Sequence, residues 1–175
     1  ARANNSLGVI RARQGKRALA ARRFEKEIEV NPRFAEAHNI LAISLQELVK
    51  AEEAVASYRK ALGLKPDFAE AHNNLGNMLK NLGKPEEAIA SYHKALAIKP
   101  NYAEAHSNLG FGLQQLGKLD DALVSYHKAL DLKPDFPGAR SNLLFTKLSS
   151  MVDLDTEYEP VSYTHLTLPT ILLVK

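Results

Sequence analysis

Apolar residues in the middle of the chain recur every three or four positions, first as Ala71, Leu75, Met78, Leu79 and Leu82, then as Ala88, Ile89, Tyr92, Ala95 and Leu96. Each series fits one face of an α-helix, so the pattern predicts two amphipathic helices. Gly83 and Lys84 fall between them. Gly83 sits where a helix end favours a left-handed residue, and Pro85 opens the second helix, where a missing N–H costs nothing. At the start of the first helix, Asp67 with Glu70 has the spacing of a capping box, and Asn101 with Glu104 repeats it. The predicted unit is a helical hairpin.

The hairpin is copied along the chain. Pro32, Pro66, Pro100 and Pro134 close successive units at a constant spacing of 34 residues. A fixed period of this size predicts an all-α solenoid, in which each unit buries its apolar face only by stacking on its neighbours. The units run over residues 1–34, 35–68, 69–102 and 103–136. A fifth first helix, PGARSNLLFTKLSS (137–150), follows without a second helix and is expected to cap the stack. From Met151 the pattern becomes acidic and aperiodic, and 151–175 is expected to be an unstructured tail. Within it, VSYTHLTLPT (161–170) resembles the conceptual translation of a sequencing adapter and is expected to be a processing scar.

Leu75, Gly76, Ala88, Tyr92 and Pro100 in the central unit resemble the tetratricopeptide repeat pattern. Leu109, Gly110, Ala122, Tyr126 and Pro134 match it in the next unit; Leu41, Ala42, Ala54, Tyr58 and Pro66 do so in the preceding one. Leu7, Gly8, Ala20, Phe24 and Pro32 form a divergent first copy. The resemblance implies a right-handed superhelix that binds an extended peptide or partner protein in its concave groove. Two departures stand out. Val49 replaces the turn glycine found at Gly15, Gly83 and Gly117, so the second hairpin must change its turn or carry strain. His38, His72 and His106 stand where the family often has Trp. Neighbouring helices pack about 10 Å apart, too far for these histidines to share a metal, so packing histidines with one bonded nitrogen are expected.

Composition narrows the chemistry. Without cysteine there is no disulfide framework or thiolate site, which suits a reducing compartment and a cytoplasmic location. No apolar run is long enough to span a bilayer, so no membrane partner is expected. The chain begins in mid-pattern at Ala1, and we expect the true N-terminus to lie upstream. The net charge of +3 conceals a basic first unit, with nine Lys/Arg against three Asp/Glu in residues 1–34. Those cations lie on repeat helices without interleaved aromatics, so a solvated face is expected there rather than a nucleic-acid site. Glu52/Glu53, Glu86/Glu87 and Asp120/Asp121 each open a second helix, where they complement its dipole. No phosphate loop, nucleophile elbow or metal motif is present, and no catalytic residue, cofactor or metal is expected.

One constellation remains. Asn74, Asn108 and Asn142 recur at the repeat spacing on first helices, with Ser6 and Ile40 on the earlier rungs. A carboxamide donates and accepts, so a row of them can grip a peptide backbone without reading side chains. With Asn73 and Asn77 they form the candidate peptide-binding set, although Asn is also tolerated as plain polar lining. The positions before the rungs, Asn5, Asn39, Asn73, Ser107 and Ser141, lack the cations of a carboxylate clamp. The ladder, with phrases such as HNNLGNMLKNLGK and LKPDFPGARSNLL, resembles the repeats of O-linked N-acetylglucosamine transferases. That resemblance implies an alternative: a substrate-recognising fragment of such a glycosyltransferase, whose catalytic domain would follow.

Overall fold

The computed structural model describes residues 2–156, with side chains for residues 15–151. Among these residues the chain forms α1 (Arg2–Val30), α2 (Ala35–Glu47), α3 (Ala51–Leu64), α4 (Ala69–Asn81), α5 (Pro85–Ile98), α6 (Ala103–Gln115), α7 (Leu119–Leu132) and α8 (Pro137–Thr156). Successive helices pack as antiparallel hairpins in a solenoid. The first helices α2, α4, α6 and α8 also touch one another in sequence. The expected scar at 161–170 lies outside the described residues.

Small residues set the helix spacing within each hairpin. A β-carbon on Gly76 would stand 2.5 Å from the Tyr92 ring, and one on Gly110 would stand 2.9 Å from Tyr126. Those rings are fully buried, as are Ala88 and Ala122. The expected left-handed turns are present, with φ at +71° for both Gly83 and Gly117. Val49 keeps the same turn at φ 62° and therefore carries strain. Its side chain is 88% exposed, so no packing energy offsets that strain. The helix expected to open at Pro85 does so. Each of the three histidines places Nε2 on the carbonyl of the preceding closing proline: His38 on Pro32 at 3.1 Å, His72 on Pro66 at 2.9 Å and His106 on Pro100 at 2.9 Å. Arg140 donates to the Pro134 carbonyl at 2.8 Å in the fourth such place.

Three expectations are corrected. The capping boxes do not form, because the helices begin one residue later than that device requires. Phe68 and Tyr102 occupy the N-cap positions, without side-chain caps. Glu70 and Glu104 instead pair with Lys99 at 3.3 Å and Lys133 at 2.9 Å, at the far end of the same repeat. Glu36 and Lys65 form the equivalent pair at 2.8 Å. Each lysine also lies over the aromatic ring that ends its own repeat, Phe68, Tyr102 or Phe136, at 4.7–4.9 Å from its centroid. An ammonium within reach offers Glu a charge-assisted bond stronger than one to a neutral amide.

The second correction concerns Gly15, which lies inside the continuous helix α1 rather than at a hairpin turn. Acidic residues follow each later turn: Glu52/Glu53, Glu86/Glu87 and Asp120/Asp121. After Gly15 comes KRALAARR, which offers neither carboxylates nor Pro to start a new helix and is rich in strong helix formers. The third is the last helix, which runs past Ser150 to Thr156. Leu148 and Met151 continue its period on an exposed face.

Candidate peptide-binding face

On α4, a rotation of about 100° per residue puts Asn74 and Asn77 on the side opposite His72, Leu75 and Leu79. Asn74 and Asn77 are half-buried, as are Asn108 on α6 and Asn142 on α8. The structure joins part of the expected ladder through a second column of carboxamides. Asn74 Nδ2 donates to Asn39 Oδ1 at 3.5 Å, and Asn108 Nδ2 donates to Asn73 Oδ1 at 2.9 Å. Each of these bonds crosses from one repeat to the next, and each rung keeps its own Oδ1 and a second N–H beyond the bond.

The other candidates are committed to contacts within and between repeats. Asn73 is only 4% exposed, and besides serving Asn108 it reaches the Tyr102 hydroxyl. Asn77 Oδ1 accepts from the Tyr92 hydroxyl at 2.9 Å. Asn142 has Ser107, not an asparagine, 35 residues before it, and lies against the Tyr126 hydroxyl instead. Burial pushes that phenol up to about 12, partly offset by the Asn142 contact. Burial also raises the Tyr58 and Tyr92 hydroxyls, so all three remain neutral donors.

Other positions of this face also recur at the repeat spacing, and not all of them carry asparagine. One row runs Ile43, Asn77, Phe111 and Phe145; another runs Gln46, Lys80, Gln114 and Leu148. Gln46 and Gln114 accept from the Tyr58 and Tyr126 hydroxyls at 3.1 and 2.9 Å. Lys80 cannot accept, which is why Tyr92 turns to Asn77, nearly one turn earlier. The Lys80 ammonium rests 5.0 Å from the Phe111 ring centroid, and burial lowers its pKa. Ile40, Ile43, Phe145 and Leu148 are exposed. The face thus has a carboxamide centre with one half-buried cation, flanked by apolar side chains. Among the described residues no cluster of His, Asp or Glu could hold a metal ion, and no helix is long and apolar enough to cross a membrane.

The family signature described as "TPR repeat" matches residues 50–83 and 76–117, and "Tetratricopeptide repeat" matches 103–136. No curated protein matches the chain in sequence. Among solved structures, the chain is similar to MamA at 24% identity and TM-score 0.74, over 81% of this chain and 82% of that one. The first TPR of Spaghetti (RPAP3), solved with the HSP90 peptide SRMEEVD, gives 23% identity and TM-score 0.66 over 67% and 93%. The Sgt2 TPR domain from Aspergillus fumigatus gives 19% and 0.66 over 72% and 84%. These likenesses establish the fold, and the signatures lie on the hairpins from α3 to α7: residues 50–136 are tetratricopeptide repeats.

Proposed function

We propose that the exposed face of the first helices binds an extended peptide segment of a partner protein, with Asn74 and Asn108 gripping its backbone. The observation that carries this reading is the pair of inter-repeat bonds, Asn74 to Asn39 and Asn108 to Asn73. They hold each rung by one N–H and leave an acceptor and a donor for a peptide unit, so little side-chain entropy remains to be lost on binding. Exposed Ile40, Ile43, Phe145 and Leu148 supply apolar contact at the two ends of the row. Tetratricopeptide repeats serve as protein-interaction scaffolds, and the RPAP3 neighbour is bound to a peptide. The test is an array of degenerate peptides probed with the wild-type chain and with Asn74→Ala/Asn108→Ala/Asn142→Ala. We expect the selected peptides to lose about tenfold or more in affinity, the worth of one or two backbone hydrogen bonds, with helicity retained. Unchanged affinity rejects the ladder.

The glycosyltransferase reading is supported by the sequence phrases and the rungs at Asn74, Asn108 and Asn142 alone. The downstream gene tests it: a nucleotide-sugar-binding α/β domain supports it, and a stop codon or further repeats reject it.

A further inference from the structure

On the other side of α4, a cleft of about 750 Å3 opens between the second helices α3 and α5. His72, Leu75 and Leu79 form its floor. Its walls include Leu62 and Gly63 on one side and Ala90, Lys94 and Ala97 on the other. A shift of one repeat explains why the room is here. The equivalents of Gly63, Ala90 and Ala97 between α5 and α7 are Ala97, Val124 and Asp131, and each is larger.

Two further observations point to a ligand. His72 is 8% exposed, and its Nε2 is committed to the Pro66 carbonyl. Its Nδ1 is the one buried side-chain nitrogen or oxygen without a hydrogen-bond partner among the described residues. A neutral ring that donates through Nε2 must accept through Nδ1, so the missing partner is a donor. On the rim, Arg59 is paired with Glu87 at 3.5 Å, whereas Lys94 makes no ion pair among the described residues. The space also continues past Arg59 along Val55, Leu79 and Leu82. Its length suits a chain segment better than a compact molecule.

We propose that this cleft is a second peptide site, distinct from the asparagine face, taking an apolar side chain followed by a carboxylate. The apolar group rests on Leu75 and Leu79 and the carboxylate meets Lys94, while His72 Nδ1, closed off from solvent at the cleft floor, takes a backbone N–H once the side chains beside it part. The test is an NMR titration of the full chain with the probe N-acetyl-Leu-Glu-amide. Shifts are expected at the Ala90, Lys94 and Ala97 amides and at the His72 imidazole nitrogens, with a dissociation constant on the order of 1 mM. Replacing the probe's Glu by Gln, or Lys94→Gln, should weaken binding about two- to fivefold, the effect of one exposed ion pair. Ala90→Val/Ala97→Asp fills the cleft with residues that the next repeat already accommodates, and should abolish the shifts while the fold persists. Asn74→Ala/Asn108→Ala should leave them intact, which separates this site from the asparagine face. The proposal is overturned by absent shifts, by shifts confined to the asparagine face, by binding that survives the filled cleft, or by the same shifts arising from protein concentration alone, which would make the occupant a second copy.

Discussion

The hairpins α2–α3 and α4–α5 share a backbone shape but not the residues that would seem to require it. At the turn, Val49 and Gly83 have φ of 62° and 71°. Where the helices meet, Ala42 faces the second helix in one hairpin and Gly76 lies against Tyr92 in the other. Tyr58 finds its acceptor on Gln46, while Tyr92 finds Asn77. The shape is therefore imposed by the buried contact between the helices and by stacking on the neighbouring repeats. The turn residue follows, at a local cost when it is valine.

Exchanging residues between the two hairpins should have its largest effect at the helix contact. Gly76→Ala gains about 1 kcal/mol of helix propensity but drives a β-carbon to 2.5 Å from the Tyr92 ring, an overpacking cost of about 1–3 kcal/mol. A net loss of about 1–2 kcal/mol is expected in chemical denaturation, and a stabilised variant would show that the Tyr92 ring can shift to admit the β-carbon.

The turn should respond less. Val49→Gly relieves a left-handed conformation that costs roughly 1–2 kcal/mol and loses part of that gain to the freer unfolded chain. A net stabilisation of about 1 kcal/mol is expected, visible as a raised denaturation midpoint. If Val49→Gly is neutral, the strain inferred from its φ is absent.

The smallest effect comes from the pairs that close each repeat. The Lys65 ammonium and, to a lesser degree, the Glu36 backbone N–H lower the Glu36 pKa; Lys133 and then the Glu104 backbone N–H do the same for Glu104; for Glu70 its own backbone N–H contributes more than Lys99. A carboxylate with a lowered folded-state pKa stabilises the fold above its unfolded value, about 4.3 for Glu. That stability is lost as the pH falls through the folded value. These side chains are nearly half exposed, so the effect is small and screened by salt. Melting temperature should decline below about pH 4, and the decline should become shallower in the Lys65→Gln/Lys99→Gln/Lys133→Gln variant. An unchanged slope in that variant would show the pairs to be energetically silent.

Much of the site was legible in part. The rungs Asn74, Asn108 and Asn142 could be found by spacing because a repeat returns equivalent residues to equivalent places. Their bonding could not. Asn39 and Asn73 lie 35 residues before Asn74 and Asn108, a separation no local rule connects. Asn77 serves Tyr92 because Lys80 stands where the repeats on either side have Gln46 and Gln114.

The sequence by itself determined the 34-residue period, the hairpins from Ala35 onward, the left-handed turns at Gly83 and Gly117, the start at Pro85 and the packing role of the histidines. These follow from periodicity and from the conformational limits of single residues, which act over a turn or two. Tertiary structure decided the rest. It gave Glu70 and Glu104 to distant lysines instead of caps, joined the asparagine columns, and opened the cleft at Gly63, Ala90 and Ala97. Each of these outcomes is a competition among partners brought together by stacking, and only the packed solenoid fixes which partner is near enough to win.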